Sequence, residues 1–509
     1  MTKQQSENRN SQSAIVWLVL AALTVFTYFF GLSIPLVGPD EPRYAQVARE
    51  MFERGDWVTP TLGGHTWFEK PALLYWLEIA SYHVFGVNEF AARFGSALFG
   101  LCTVICLWLI GRRVAGSGRD GVAPFSNWLA LAAATSIGMI VFSRGASFDI
   151  ILTFPITAAL TAFFYFDRGG KMPGTHGSTL PLALFYFFTG VAVIAKGLVG
   201  IVFPYAIVAF YFVLGRRMPS RRLILSFVWG TLLAAAVAGI WYVPVYLANG
   251  WSFVDEFIIQ HHFQRYLTNK YFHPQPFYFF LWVLPLMTIP WLPFFFVGAW
   301  RAGKALFNCL MRRGAAARPE PLLTFAAAWL LVPLVFFSFS GSKLPGYIMP
   351  AVPPAIIVAA FAIERFVGSS LRRAAMVQGA AAATLVTVVA LLIFVVPLFA
   401  DGDSVKRMIA EADARGYRDS RVVCMHHLVH NAEFYAAGRM VRNEDGDLAK
   451  LLGPGEVLRE TRRGQGRTVL VLVPKEYERT LTGAPYLTAE KIAENSETSL
   501  VAVRENGGR

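Results

Sequence analysis

Asp40, Glu41 and Arg43 follow one long apolar run, Glu69 and Lys70 precede a second, and Arg144 and Asp149 stand at the junction of two more. Lys196, His261, His262, Arg265, Lys343 and Tyr347 complete the ionisable groups at the same set of run ends. A charge beside hydrocarbon is costly unless it faces a partner, a cavity or water, so such positions are where chemistry concentrates. The set is made of carboxylates and cations and little else. A carboxylate can take the proton of a hydroxyl nucleophile, and cations can neutralise an anionic leaving group. Group transfer from a lipid-linked sugar phosphate uses both, with the lipid tail lying between helices. There is no G-x-S-x-G, P-loop, H-E-x-x-H or C-x-x-C motif, so hydrolase, ATPase and redox readings lose support.

Plainer explanations compete at several of these positions. The pair Asp40-Glu41 also suits the first turn of any helix, where the dipole favours negative charge. Adjacent histidines in a loop, such as His261 and His262, are more often solvated than metal-bound. A divalent metal is compatible with these residues, but no cofactor is required. Lys196 lies between two apolar runs and either snorkels to the interface or touches a phosphate. His426 and His430 have i, i+4 spacing but follow the strand-like stretch RVVC, which argues against a helical ligand pair.

The elements that must position these residues follow from composition. The chain is 55% hydrophobic and only 16% charged, against about 25% charged in soluble domains. Its formal charge of +13 would suggest nucleic acid in a soluble protein. Here the basic residues sit in short loops between apolar runs, so membrane topology explains them and no nucleic-acid partner is expected. About eleven stretches are long enough to span a bilayer. They run near 14–34, 92–111, 124–143, 148–166, 179–195, 197–214, 224–247, 276–300, 322–340, 346–363 and 375–399. The polar start, Met1 to Ser13, reads as a disordered cytoplasmic tail before a retained signal anchor.

Lys and Arg alternate between loops. Arg112, Arg113, Arg119, Arg168, Lys171, Arg216, Arg217, Arg221, Arg222, Arg301, Lys304, Arg312, Arg313, Arg318, Arg365, Arg372 and Arg373 fall on one side. The positive-inside rule puts that side in the cytoplasm, and segments 35–91, 248–275 and 401–509 outside. In the first outer segment Tyr44, Val47, Met51 and Phe52 share one helical face, which predicts an amphipathic helix at the bilayer surface. Pro71 to Phe85 predicts another, with Pro at its start. After Asp401 the strand-like runs 469–473 and 499–503, with helical stretches 403–415 and 433–437, predict a small extracytoplasmic α/β domain. The transmembrane catalytic part is thus 14–400 and the soluble domain 401–509. The four cysteines form no disulfide framework.

The stretch GPDEPRYAQVAREMFERGDWVTP, followed by WFEKPALLYWL, resembles the bacterial lipid-carrier-dependent glycosyltransferases of the protein O-mannosyltransferase type. Within them it is most similar to the enzymes that add 4-amino-4-deoxy-L-arabinose to lipid A. ASFDIILTF, IAKGLVG, FQRYL with HPQPFYFF, and SGSKLPGYIMPAVPP match in order, so the resemblance covers nearly the whole membrane part. It implies a polytopic α-helical membrane protein of the GT-C fold, with about 11–13 transmembrane helices and the small C-terminal domain.

The resemblance also implies site roles. Asp40 is the base or acceptor-positioning group, and Asp149 the second outer aspartate, near the acceptor. Lys70, Arg265, Tyr347 and Arg43 bind the donor phosphate, with Glu41, Glu69, Lys196, His262 and Lys343 as further candidates. The expected reaction moves a sugar from a polyprenyl-phosphate donor, with undecaprenyl phosphate as carrier, to lipid A, another glycan or a protein. It would run with inversion, at the outer face of the bacterial inner membrane, in a monomer surrounded by membrane lipids. The rival class is a transporter or flippase of the lipid-linked sugar. It leaves the charged first outer segment and the outer domain unexplained, and there is no internal repeat of the kind transporters show.

Overall fold

Apolar backbone in a bilayer must satisfy its own polar groups, and a helix does so within one segment. The expected spans are built mainly of helix in the computed structural model, which describes residues 3–114, 122–169, 179–264, 275–311, 320–444 and 446–506. The principal helices begin with α1 (Lys3–Phe29), α2 (Asp40–Arg54), α3 (Leu73–Phe85), α4 (Glu89–Val114) and α5 (Phe125–Thr135). They continue with α6 (Ile137–Ser143), α7 (Phe148–Asp167), α8 (Leu180–Lys196), α9 (Val199–Leu214) and α10 (Arg221–Asn249). Next come α11 (Phe279–Met287), α12 (Leu292–Met311), α13 (Pro321–Ser338), α14 (Val352–Val367) and α15 (Leu371–Phe394). Helix α1 starts inside the polar stretch expected to be disordered.

Among the described residues, 6 helices are long and apolar enough to cross a membrane, or 7 if the bent pair α5–α6 counts as one span. Ala14–Phe29, α8 and α9 are apolar but shorter. The expected span 276–300 is interrupted between α11 and α12, where Pro285 and Pro290 remove backbone donors. The two broken spans compensate each other. The Ile137 amide, freed by the 56° bend at Ser136, donates to the Ile289 carbonyl at 2.8 Å. The Trp291 indole donates to Thr135 Oγ1 at 3.0 Å. Irregular backbone at membrane depth is tolerated where protein supplies such partners.

The chain forms two compact units. The first comprises Met1–Phe30, Glu69–Leu74 and Arg93–Val389. Within it α7 packs along α8, α8 along α10, and α9 along α13. Burial separates the centre from the periphery. The apolar window of α7 is 83% buried and that of Pro345–Val367 is 89% buried, against 11% for Leu371–Ala400. Leu225, Val228 and Leu232 of α10 are exposed, which suits apolar side chains on a helix at the lipid boundary.

The second unit comprises Gly31–Phe68, Tyr75–Ala92 and Ala390–Arg509. Most of the segment 35–91, all but Glu69–Leu74, therefore shares a compact unit with the C-terminal residues. The apolar face of α2 is not left for the bilayer surface. Tyr44, Val47 and Met51 are buried by protein, and α2 packs on the short helix Ala432–Tyr435. An amphipathic face with a protein partner has no need of lipid. A small hairpin, β1 (Thr61–Leu62) and β2 (His65–Thr66), follows α2 and was not read from the sequence.

The C-terminal part of this unit is a five-stranded sheet with order β4-β3-β5-β7-β6, formed by β3 (Val422–Met425), β4 (Lys450–Leu451), β5 (Val469–Pro474), β6 (Leu487–Glu494) and β7 (Thr498–Glu505). β3 pairs in parallel with β4 and β5, and the remaining pairs are antiparallel. VLVLV makes β5 a strand buried on both faces, with Leu470 and Leu472 in one core and Val469, Val471 and Val473 in the other. The helix expected over 403–415 is Lys406–Ala412 running into a wider turn at Asp413–Tyr417. The helix expected over 433–437 is the short helix Ala432–Tyr435.

Candidate functional site

In the first unit Asp149 and Tyr347 stand at the starts of two deeply buried spans, and Lys196 ends a helix packed beside the first of them. Asp149 stands in the first turn of α7, whose N-cap Ser147 accepts the Asp149 amide at 3.2 Å. Lys196 closes the last turn of α8, the antiparallel neighbour. A carboxylate at a helix start and an ammonium at a helix end each suit their dipole, and the antiparallel packing brings the two ends together. Lys196 Nζ donates to Asp149 Oδ1, with the side chains 19% and 17% exposed. The ammonium also lies 5.1 Å from the centre of the Tyr347 ring, a cation–π distance.

Tyr347 reaches this place on a 3-10 turn, Pro345–Ala351, that precedes α14. Its neighbour Gly346 makes the approach feasible, because a Cβ there would collide with the Asp149 carboxylate and the Phe142 ring. Sequence reasoning quoted Gly346 as part of a motif but gave it no role. Its signal was a glycine wedged between Pro345 and Tyr347.

Two other cations in this unit serve the backbone. Lys343 is buried and donates to the carbonyls of Ser340 at 2.6 Å and Gln275 at 3.0 Å, and loss of water lowers its pKa below the usual lysine value. It ties its own loop to residue 275. Arg144 donates to the carbonyls of Thr27, Tyr28 and Phe30, capping the C-terminal end of α1. Glu69 and Lys70 form a pair at 2.5 Å, with side chains 15% and 11% exposed, in the turn before α3. Arg265, and the orientation residues Arg119, Lys171, Arg312, Arg313 and Arg318, lie outside the described residues. The side chains of His261 and His262 do as well.

In the second unit Asp40 opens α2, behind the N-cap Pro39. Arg43 Nη2 meets Asp40 Oδ1 at 2.6 Å, its Nε donates to the Pro39 carbonyl at 2.8 Å, and its guanidinium lies 5.9 Å from the Trp67 ring centre. Glu41 accepts the Val37 amide at 3.3 Å. The Asp40 side chain is 54% exposed, open enough to meet a substrate.

Sequence reasoning missed Glu78, on α3 in this same unit. It is fully buried, and neither carboxylate oxygen has a hydrogen-bond partner among the described residues. Burial first, and the charge of Glu41 second, push its pKa well above the usual glutamate range. A single acidic residue in an apolar helix was its only signal.

No three His, Cys, Asp or Glu side chains converge as a metal site among the described residues. Chemically, the first unit offers a fixed cation flanked by a carboxylate and a phenol ring. The second offers an accessible carboxylate steadied by an arginine.

Residues 15–260 match the family model described as dolichyl-phosphate-mannose-protein mannosyltransferase. The chain is 30% identical over 352 residues, 69% of its length and 60% of the relative's, to an undecaprenyl phosphate-alpha-4-amino-4-deoxy-L-arabinose arabinosyl transferase of Shewanella sediminis. It is 31% identical over 346 residues, 68% of its length and 63% of the relative's, to an uncharacterized protein of Aquifex aeolicus. The chain thus spans about three fifths of the length of these curated relatives. Among solved structures it shares its fold with ArnT from Cupriavidus metallidurans bound to undecaprenyl phosphate, with a TM-score of 0.73, 22% identity, and coverage of 95% of this chain and 97% of that one. The fold is therefore the GT-C type with its small C-terminal sheet domain, and the protein is a multi-pass membrane protein.

Proposed function

Because the chain is related to the lipid-carrier-dependent glycosyltransferases and shares their GT-C fold, we propose that it moves a sugar from a polyprenyl-phosphate donor to an extracytoplasmic acceptor. The donor carrier in this reading is undecaprenyl phosphate, the sugar is 4-amino-4-deoxy-L-arabinose, and the acceptor is lipid A. The observation that carries it is the Asp149–Lys196–Tyr347 grouping at the head of the two most buried spans. An ammonium held at the end of membrane helices suits a lipid phosphate, whose tail stays among the helices while its head reaches water.

In the reaction the acceptor oxygen attacks the anomeric carbon, and the bond from that carbon to the phosphate oxygen breaks. Asp40 takes the acceptor proton, and the electron pair leaves with the polyprenyl phosphate. One displacement inverts the anomeric centre. Lys70, Arg265, Tyr347 and Arg43 meet the phosphate, so side-chain cations neutralise it without a required cofactor. Asp149 fixes Lys196 and serves the acceptor side. The site faces outward from the bacterial inner membrane, and the enzyme works as a monomer.

The test is product formation in detergent from purified lipid-linked donor and lipid A, followed by mass spectrometry. Transport is meaningless without a sealed compartment, so transfer in detergent supports a transferase. Absence of transfer with competent donor, alongside donor translocation in vesicles, would sink the reading. Lipid A from cells with and without the gene should differ by the mass of the amino sugar.

A further inference from the structure

Asp40 enters its helix without a side-chain cap. Pro39 is the N-cap and offers none, and Gly38 has a φ of 68°, a conformation glycine adopts without strain. Arg43 holds the Pro39 carbonyl and the carboxylate itself, and the backbone that leads into them is held at residues 36 and 37. The Val37 amide goes to Glu41 at 3.3 Å. The Leu36 amide, on a fully buried residue, donates to the Tyr435 hydroxyl at 2.8 Å, across 399 residues of sequence. Tyr435 in turn donates to Glu89 Oε1 at 3.1 Å, and Lys406 holds the same oxygen at 2.6 Å. The phenol thus has a fixed direction, set by a buried carboxylate that is itself paired. All these residues belong to the second unit.

We propose that Tyr435 is a positioning residue for the transfer reaction, fixing the backbone that leads into Asp40. This gives the C-terminal domain a part in the reaction, and it rests on the proposed role of Asp40 as the base. A buried amide that loses its acceptor must find water or move, and a small displacement of a catalytic group slows turnover more than it weakens binding.

The experiment is steady-state transfer by full-length Tyr435→Phe, with hydrogen exchange measured on peptides covering 31–39 and the C-terminal sheet. The ring is kept, and Lys406 still pairs Glu89, so the fold should survive. The expected result is kcat lowered about tenfold, the scale of one lost ordering hydrogen bond, with KM for the donor unchanged. Exchange should rise at 36–37 and stay unchanged in the sheet. Tyr417→Phe, whose hydroxyl donates to Glu490 at 3.2 Å in the same domain, should alter neither measurement. A wild-type kcat overturns the inference. So does a slowed enzyme with unchanged exchange at 36–37, or one whose whole sheet loosens. Asp40→Asn in the same assay separates the two levels. If it is slow while Tyr435→Phe is fast, this inference alone fails. If Asp40→Asn turns over normally, the parent reading of Asp40 has failed.

Discussion

Asp149 and Asp40 each stand in the first turn of a helix, yet their surroundings differ. Asp149 is 17% exposed, bonded to Lys196, close to the Ser147 hydroxyl, and pressed by the backbone of Gly346. Asp40 is 54% exposed and held through one oxygen by Arg43. One Asp149 oxygen takes the Lys196 ammonium and the other lies beside Ser147 and Gly346, so both are occupied by protein. An exposed carboxylate steadied by an arginine on one side keeps an oxygen available. We propose that Asp149 is an electrostatic anchor and Asp40 the proton acceptor, although both look alike as aspartates at the ends of apolar runs.

The sharpest way to break this division is to neutralise each aspartate separately. Asp40→Asn keeps size and removes the base, so turnover should fall about a hundredfold or more, the scale of general base catalysis. Donor binding and folding should be largely retained. Asp149→Asn should instead weaken binding of undecaprenyl phosphate or lower folded yield, because it unpairs Lys196. If purified Asp40→Asn transfers sugar at near wild-type rate, the division fails.

A smaller effect is expected for the phosphate ligands. Lys70→Ala and Arg265→Ala should each weaken undecaprenyl phosphate binding about tenfold, the scale of one charge-assisted contact. The double mutant should lose less than the sum, since the two act on one anion. Binding titrations in detergent that show no change in either single variant would remove both residues from the site. Gly346→Ala probes the anchoring side. The added methyl must displace the Asp149 carboxylate or the Phe142 ring. We expect lower thermal stability and a severalfold loss of activity, about the cost of overpacking a tight contact. Unaltered melting and activity would show that the turn has room to move.

The apolar runs were legible because a bilayer demands long uninterrupted stretches, and they are built mainly of helix. Pro285 and Pro290 mark the break between α11 and α12, whereas nothing local marks the bend at Ser136 or the hydrogen bond between Ile137 and Ile289 that joins the two breaks. VLVLV announced β5, whereas β6, with the sequence LTAEKIAE at a sheet edge, mixes buried and exposed positions too irregularly to read. Asp149 and Lys196 were picked out singly, but their bond spans 47 residues and comes from helix packing. The spacing in α2 marks an apolar face, and that face packs on protein, because spacing shows which side is buried and not by what. Tyr435 carries no signal at all, as a tyrosine in a four-residue helix.

The smallest effect concerns Glu78, a buried carboxyl of the second unit with no hydrogen-bond partner among the described residues. With folded pKa raised above the unfolded value, the native state binds a proton that the unfolded chain gives up more readily. The sign then follows from linkage: as pH rises above the ordinary glutamate range, unfolding releases this proton, and stability falls until the folded pKa is passed. Glu41 and Tyr82 face the same region, and Tyr82 keeps its hydroxyl on the Ala45 carbonyl at 3.1 Å, so it offers Glu78 no cation. Glu78→Gln removes the titration and preserves shape. Its melting temperature should match wild type near pH 4.5, the ordinary glutamate value, and exceed it increasingly as the pH is raised toward 8. Calorimetry of both proteins across that range gives the answer. A constant difference between them would mean that Glu78 does not titrate there, and that a partner such as a buried water or a bound cation keeps it charged.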